Sequence, residues 1–176
     1  MLTLHRARAD AVVIDGDRIA ALGPYDELDT AYGDRARLRS WDGVLTPGRH
    51  EPDAPALLEA AYWPDPREDL GSDPLTGRAL AALGMTEVRW GASARRGLQR
   101  LLAAGTTSVA GPFTRETVRT AVERSGLRVF PGGVEDATLL VPGPLAVSGR
   151  ADFAVYDDDG ACLVTCVAGR MVHRAR

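Results

Sequence analysis

Short apolar runs broken by turn residues dominate the first forty positions. Ala11-Val12-Val13-Ile14 and Ile19-Ala20-Ala21-Leu22 flank Asp15-Gly16-Asp17-Arg18, and an Asp-Gly turn between two apolar runs predicts a β-hairpin. Leu2 to Leu22 therefore reads as short strands. Gly23-Pro24 stops the second arm, Tyr25 to Tyr32 has room for one or two helical turns, and Arg37 to Trp41 resumes an extended run. The last thirty positions have the same character. Period-2 segments in 149–157 and 164–172 are joined by tight turns at Asp158-Asp159-Gly160 and Gly169-Arg170, which predicts an antiparallel sheet.

Between these ends the periodicity changes to alternating helix and strand. Ser93 is placed to cap a helix running to Leu102, with Leu98, Leu101 and Leu102 on one face and Gly105 as its stop. Thr106 to Ala110 reads as a buried strand. Thr114 to Arg124 reads as a helix with Val118, Ala121 and Val122 inward, and Leu127 to Phe130 as the next strand. Two strands joined by one amphipathic helix predict a right-handed βαβ unit. Tyr62 to Gly77 fits no regular element, since Pro64, Pro66 and Pro74 stand among Asp65, Glu68, Asp69 and Asp73. A solvated surface loop is expected there.

Size and composition narrow the picture. At 176 residues the chain has room for one domain or two small lobes, whereas a complete (β/α)8 barrel takes about 250. Hydrophobic residues at 45% and charged residues at 26% describe an ordinary globular protein. The net charge of −3 gives no general attraction to phosphate backbones or anionic membranes, so neither nucleic acid nor a membrane is an expected partner. All 21 basic residues are arginine, which removes any Schiff-base lysine and, with abundant Ala, Gly and Asp, suggests a GC-rich bacterial genome. Two cysteines make no disulfide scaffold. With neither signal-peptide pattern nor long apolar span in view, a cytoplasmic location is expected.

Several segments together resemble a known family. The order Asp15-Gly16-Asp17-Arg18-Ile19-Ala20-Ala21-Leu22-Gly23-Pro24, then Val44-Leu45-Thr46-Pro47-Gly48, resembles the opening of imidazolonepropionases and aminodeoxyfutalosine deaminases of the metal-dependent amidohydrolase superfamily. Gly149-Arg150-Ala151-Asp152-Phe153-Ala154-Val155-Tyr156-Asp157 is similar to the family's G-x-x-A-D-F-x-V-x-D, and Val164 to Val172 to its closing V-x-x-T-x-V-x-G-R-x-V. In that family the strands of the two ends join in one composite β-sandwich beside a barrel. The middle of this chain resembles the barrel's early βα units, where one helix precedes A-G-T-T and another precedes G-L-R-V. After Pro131-Gly132-Gly133 the chain passes almost directly to the closing strands, so the later barrel strands, with the third metal histidine and the strand-8 aspartate, are missing. The resemblance implies a mixed α/β protein: a composite β-sandwich domain from 1–48 and 145–176, and a truncated βα segment of a TIM-like barrel over 49–144. The acid- and proline-rich loop is then a candidate cover for the open side of that segment, or a partner contact.

The family's metal segment resembles T-P-G-x-x-D-x-H-x-H. Alignment on Thr46-Pro47-Gly48 puts Asp53 and Pro55 where the two histidine ligands stand. The absence of lysine likewise excludes the carbamylated lysine that bridges two metals in some amidohydrolases. Hydrolysis in this superfamily needs a cation that activates water, held by three or more ligands, and the chain has only His5, His50 and His173. His5 and His173 fall on terminal strands, where a partly exposed polar residue is the plain expectation. His50, Glu51 and Asp53 are the one compact set that offers ligands for a rebuilt site, but Pro52 and Pro55 stiffen the segment and spread alternate side chains. A solvated turn is the alternative. Cys162 and Cys166 lie four apart on one strand, facing one way with α-carbons roughly 13 Å apart, too far for a disulfide. Trp90, Arg95 and Arg96 would place an aromatic and two arginines at a helix N-terminus, an anion-binding arrangement; packing of Trp90 in the core with solvated arginines is the alternative.

The expectation is an amidohydrolase-like pseudoenzyme with no catalytic residue, metal or other cofactor, and with a binding, regulatory or assembly role. A homodimer, or a complex with a related enzyme, would cover the strand edges and apolar face of a shortened sheet; a small-molecule ligand is the other expected partner. The alternative is a hydrolase of the C–N bonds of a small cyclic amide or amidine, in a menaquinone-related setting by the resemblance.

Overall fold

The computed structural model describes residues 1–132 and 143–175. Mixed α/β in content, the described chain divides into two compact units, 1–49 with 102–107 and 143–175, and 50–101 with 108–132.

The first unit is built from two four-stranded sheets. β1 (Leu2–Ala7), β2 (Asp10–Asp15) and β3 (Arg18–Pro24) form antiparallel pairs, and β4 (Ala36–Trp41) joins β1 in parallel to give the order β3-β2-β1-β4. The helix α1 (Tyr25–Tyr32) supplies the crossover that the parallel pair requires. Local pattern signals the hairpin, but nothing local signals that β4 runs parallel to β1. The second sheet, β11-β10-β9-β5, sets β5 (Val44–Pro47) beside β9 (Phe153–Tyr156), followed by β10 (Cys162–Val167) and β11 (Arg170–Arg174). Its β9–β10–β11 run is antiparallel, as the period-2 pattern predicts.

Alternation decides which side chains meet. Ala7, Val12, Ile14 and Ile19 from the first sheet share one apolar cluster with Phe153, Val155, Val164 and Cys166 from the second. The opposite face of the first sheet gives Leu4, Ala11 and Val13 to a separate cluster with Leu28 of α1. Asp152, buried just before β9, explains the polar residue in its Ala-Asp-Phe segment. Its Oδ1 accepts the N–H of Ala168 at 2.7 Å and its Oδ2 accepts from Arg150 at 3.1 Å, tying the turn before β11 to the start of β9.

The second unit takes most of a third sheet, in which β6 (Arg49–Glu51), β7 (Thr106–Gly111) and β8 (Arg128–Pro131) stand in the order β6-β7-β8, with β7 and β8 parallel. Its helices are α2 (Ala54–Glu59), α3 (Gly77–Ala81), α4 (Glu87–Ala103) and α5 (Glu116–Ser125). The β7–α5–β8 unit matches the pattern-based expectation. The α4 start does not: the helix begins at Glu87, and Thr86 Oγ1 accepts the Arg89 N–H at 3.3 Å, the capping role expected of Ser93. Between buried Trp90 and Leu98 the inward face of α4 is made of small residues, Gly91, Ser93, Ala94 and Gly97, which conceals its first turns from hydrophobic periodicity. Gly105 ends the helical run at φ 87°. A β-carbon there would lie 1.8 Å from the Tyr156 hydroxyl, which donates to the Ala104 carbonyl at 3.0 Å.

The passage from Gly133 toward the closing strands lies outside the described residues.

Candidate functional site

The segment that should carry metal ligands begins as an ordinary strand. β5 pairs with β9 from Val44↔Tyr156 to Pro47↔Phe153, and Thr46 Oγ1 donates to the Ala154 carbonyl at 3.4 Å. Gly48 then passes so close to Thr107 that a β-carbon would sit 2.1 Å from its Oγ1. Thr46-Pro47-Gly48 and Gly105-Thr106-Thr107 thus meet backbone against side chain, and the Arg49 N–H donates to the Gly105 carbonyl at 2.9 Å. The motif glycine has a packing reason.

Beyond Gly48 the polar side chains disperse. His50 on β6 places Nδ1 3.0 Å from Ser108 Oγ of β7, with the Phe130 ring edge-on at 5.7 Å. Burial pushes the His50 pKa down, opposed by the Glu51 carboxylate, so the imidazole is mainly neutral at pH 7. Glu51 Oε1 accepts the N–H of Asp53 at 3.0 Å and closes the turn into α2. Asp53 is exposed, and Pro55 lies in the first turn of α2, where a missing N–H costs nothing. Among the described residues, no group of three or more His, Cys, Asp or Glu side chains is placed to hold a metal ion.

Trp90, Arg95 and Arg96 do not stand at a helix N-terminus, because α4 starts at Glu87. Trp90 is buried with the Arg115 guanidinium 4.4 Å above its ring, while Arg95 is exposed. Arg96 reaches elsewhere: Nε donates to the Trp63 carbonyl at 2.7 Å, and Nη1 lies 3.5 Å from Asp65 Oδ2. With Trp63, Pro66, Ser72, Gln99 and Arg100 it lines a cleft of about 330 Å³ in the second unit. Arg96 thus borders a cavity large enough for a small molecule.

The pattern misses the groups that order the proline-rich loop. Glu68 accepts from the Tyr62 hydroxyl, from the Asp65 N–H at 3.1 Å and from Arg89 at 2.8 Å, and the Tyr62 bond leads in holding its pKa low. Ser93 is buried, and its Oγ accepts the Trp63 N–H at 2.9 Å. Glu59 is a second unsignalled hub: its carboxylate accepts from the Thr114 N–H, the Thr114 hydroxyl and the Arg115 N–H at the start of α5. The spacing Asp65-Pro66-Arg67-Glu68 was the available sign of a structured turn.

His5 is fully buried, unlike the partly exposed residue expected of a terminal strand. Trp41 Nε1 donates to its Nδ1 at 3.3 Å, and the Phe153 ring meets it edge-on at 5.1 Å. Burial, then the nearby Arg39 charge, brings its pKa to about 4. His173 is half-buried on β11 opposite Thr165. Both cysteines are free and buried, but they do not share a face. The register shift between Cys162 and Val164 breaks the alternation, so Cys162 joins Ala154 and Tyr156 while Cys166 enters the inter-sheet core.

Residues 11–34 match the model of the imidazolonepropionase-like composite domain of bacteria. The backbone is similar to that of N-isopropylammelide isopropylaminohydrolase from Burkholderia multivorans over 77% of this chain and 38% of that one, with a TM-score of 0.50 and 20% identity. That likeness is one of fold, with the sequence match confined to 11–34. Guanine deaminase of E. coli is similar over 76% of this chain and 36% of its own, at 15% identity and TM-score 0.48. The ochratoxinase of A. niger is similar over 74% and 30%, at 19% and 0.45. The chain thus spans between 30% and 38% of the length of these structures. No curated protein sequence matches it. No helix among the described residues is long and apolar enough to cross a membrane. The metal that an amidohydrolase resemblance implies does not fit this donor set, since the Pro55 side chain has no ligating atom, Asp53 is exposed and Glu51 is engaged by the Asp53 backbone.

Proposed function

We propose that this amidohydrolase-like protein is non-catalytic and acts by binding, in a regulatory or assembly role. On this reading the paired sheets are the superfamily's composite β-sandwich, and the β6-β7-β8 layer with its helices is a shortened remnant of the barrel. The observation that carries it is Pro55, which lies in the first turn of α2 at a position where the resemblance calls for a metal-binding histidine. A proline there is part of a helix start, and its side chain has no lone pair to give. His50 supports the same reading, because its Nδ1 is engaged with Ser108 and its neighbours Glu51 and Asp53 are committed to a turn. The partner is a second copy of the chain or a related enzyme, since a three-stranded sheet with parallel β7 and β8 leaves edges that soluble proteins cover.

Elemental analysis of protein purified without chelators tests the proposal. The expected result is no stoichiometric zinc, iron or manganese, and no change in metal content on His50→Ala or Asp53→Ala. Stoichiometric metal lost in both variants would overturn it in favour of a hydrolase acting on a cyclic amide or amidine. Sedimentation tests the assembly role, for which a monomer at all concentrations, alone or mixed with candidate enzymes, counts against the proposal.

A further inference from the structure

A second cleft, in the first unit, gathers positive charge without a carboxylate to balance it. Arg37, Arg39 and Arg174 line it with Leu38, Ser40 and Trp41, and it measures about 190 Å³. We propose that this cleft binds a compact oxyanion of two or more charges, a phosphate or diphosphate group. No acidic residue is among its lining groups, although the chain as a whole is acidic at −3. The neighbouring Arg8 shows the contrast, since its guanidinium is held by Asp42 at 3.2 Å and Asp158 at 2.7 Å. None of the described carboxylates forms an ion pair with Arg37, Arg39 or Arg174. Like charges brought together repel unless an anion is shared between them.

The cleft is also built rather than incidental. Trp41 is fixed by its Nε1 bond to buried His5, and the Arg174 guanidinium lies 5.6 Å from the Trp41 ring centroid, which restrains an otherwise mobile side chain. Arg39 is half-buried and sits opposite His5 in the β1–β4 register. β4 is an edge strand, so one side of its backbone adds unpaired N–H donors. Volume argues for a small ligand, since organic molecules of drug size use roughly 300–1,000 Å³. Arginine is the side chain best matched to phosphate oxygens, which it meets with paired N–H groups.

The test is isothermal titration of the full chain at pH 7 and low salt with inorganic phosphate, pyrophosphate and, as a carboxylate comparison, succinate. Saturable one-to-one binding of phosphate or pyrophosphate, tighter than succinate, is expected. Arg39→Gln and Arg174→Gln should each weaken it about tenfold or more, the loss of a charge-assisted hydrogen bond, while Arg78→Gln in the second unit leaves it unchanged. Nuclear magnetic resonance of the His5 imidazole gives an independent readout. Because the Arg39 charge lowers the His5 pKa, an anion bound at Arg39 must raise it. Non-saturable heats, equal affinity in the Arg39 and Arg174 variants, an equal loss in the Arg78 variant, or a His5 titration unmoved by saturating pyrophosphate would each overturn the proposal.

Discussion

Acidification should attack the first unit through His5. In the folded chain its pKa falls from an ordinary 6.5 to about 4, burial being the main cause and Arg39 the second. The unfolded chain therefore takes up a proton at a higher pH than the folded one. A depressed folded pKa means that stability is fully present above about pH 6.5 and is lost as pH falls toward 4. At 1.36 kcal/mol per pH unit of difference, the loss from this residue reaches about 2 kcal/mol by pH 5 and about 3 kcal/mol by pH 4. Protonation also removes the Nδ1 lone pair that accepts from Trp41, so the charged form has no place in this geometry. The control is His5→Phe, which keeps an aromatic ring between Trp41 and Phe153 but cannot titrate. It should be less stable at pH 7 by about 1–3 kcal/mol, because the Trp41 N–H loses its acceptor. Between pH 7 and pH 4 it should then lose about 3 kcal/mol less than the parent protein. Urea unfolding followed at the Val12 and Val13 amides reports on this unit alone. Carboxylates such as Asp158, held low by Arg8, contribute equally to both proteins and cancel. Parallel pH profiles for the two proteins would refute the reasoning.

Further outcomes follow from single contacts. Asp152→Ala removes the acceptor for Ala168 and Arg150 and should cost about 1.5–3 kcal/mol in urea unfolding, with Asp152→Asn milder. Glu59→Ala strips three donors at the start of α5; amide exchange in Glu116–Val118 should accelerate, and unfolding should cost about 1–3 kcal/mol. Gly48→Ala drives a methyl into Thr107 and should lower stability by about 1–3 kcal/mol by overpacking, with Thr107→Ser restoring part of it. Burial raises both cysteine thiols, Cys166 to about 12, so neither should react quickly with a disulfide reagent at pH 8 until denaturant is added.

Local physics made the hairpins legible. An Asp-Gly turn dictates the β2–β3 hairpin, and the period-2 segments in 149–157 and 164–172 with their tight turns dictate a meander, both from neighbours in sequence. What needed three dimensions was pairing across long separations. The parallel β1–β4 pair and the β5–β9 pair leave no local trace, and the bulge that separates Cys162 from Cys166 inverts a face on which the alternation argument depended. Similarly, the buried face of α4 is made partly of glycine, serine and alanine, residues whose burial depends on what approaches them. At the candidate metal segment, the departure at Asp53 and Pro55 was plain in the sequence. The employment of Glu51, Glu59 and Glu68 as anchors of turns and helix starts was not, because each partner is a backbone N–H or a residue set by tertiary structure.

The β5–β9 pairing has a consequence for how this architecture tolerates change. Thr46 and Ala154 are bonded neighbours separated by 108 positions, so the chain leaves this sheet after β5, touches it again at 104–107 and returns at β9, closing a long excursion. The entropy of closing such an excursion grows only as the logarithm of its length, about 0.6 kcal/mol per doubling. A fourfold longer insert would therefore cost the sheets roughly 1.2 kcal/mol, less than one well-made buried contact. Paired in this way, the strands form a clasp nearly indifferent to the size of what it holds, and segments could be lost from or added to the excursion over time while the clasp stayed shut.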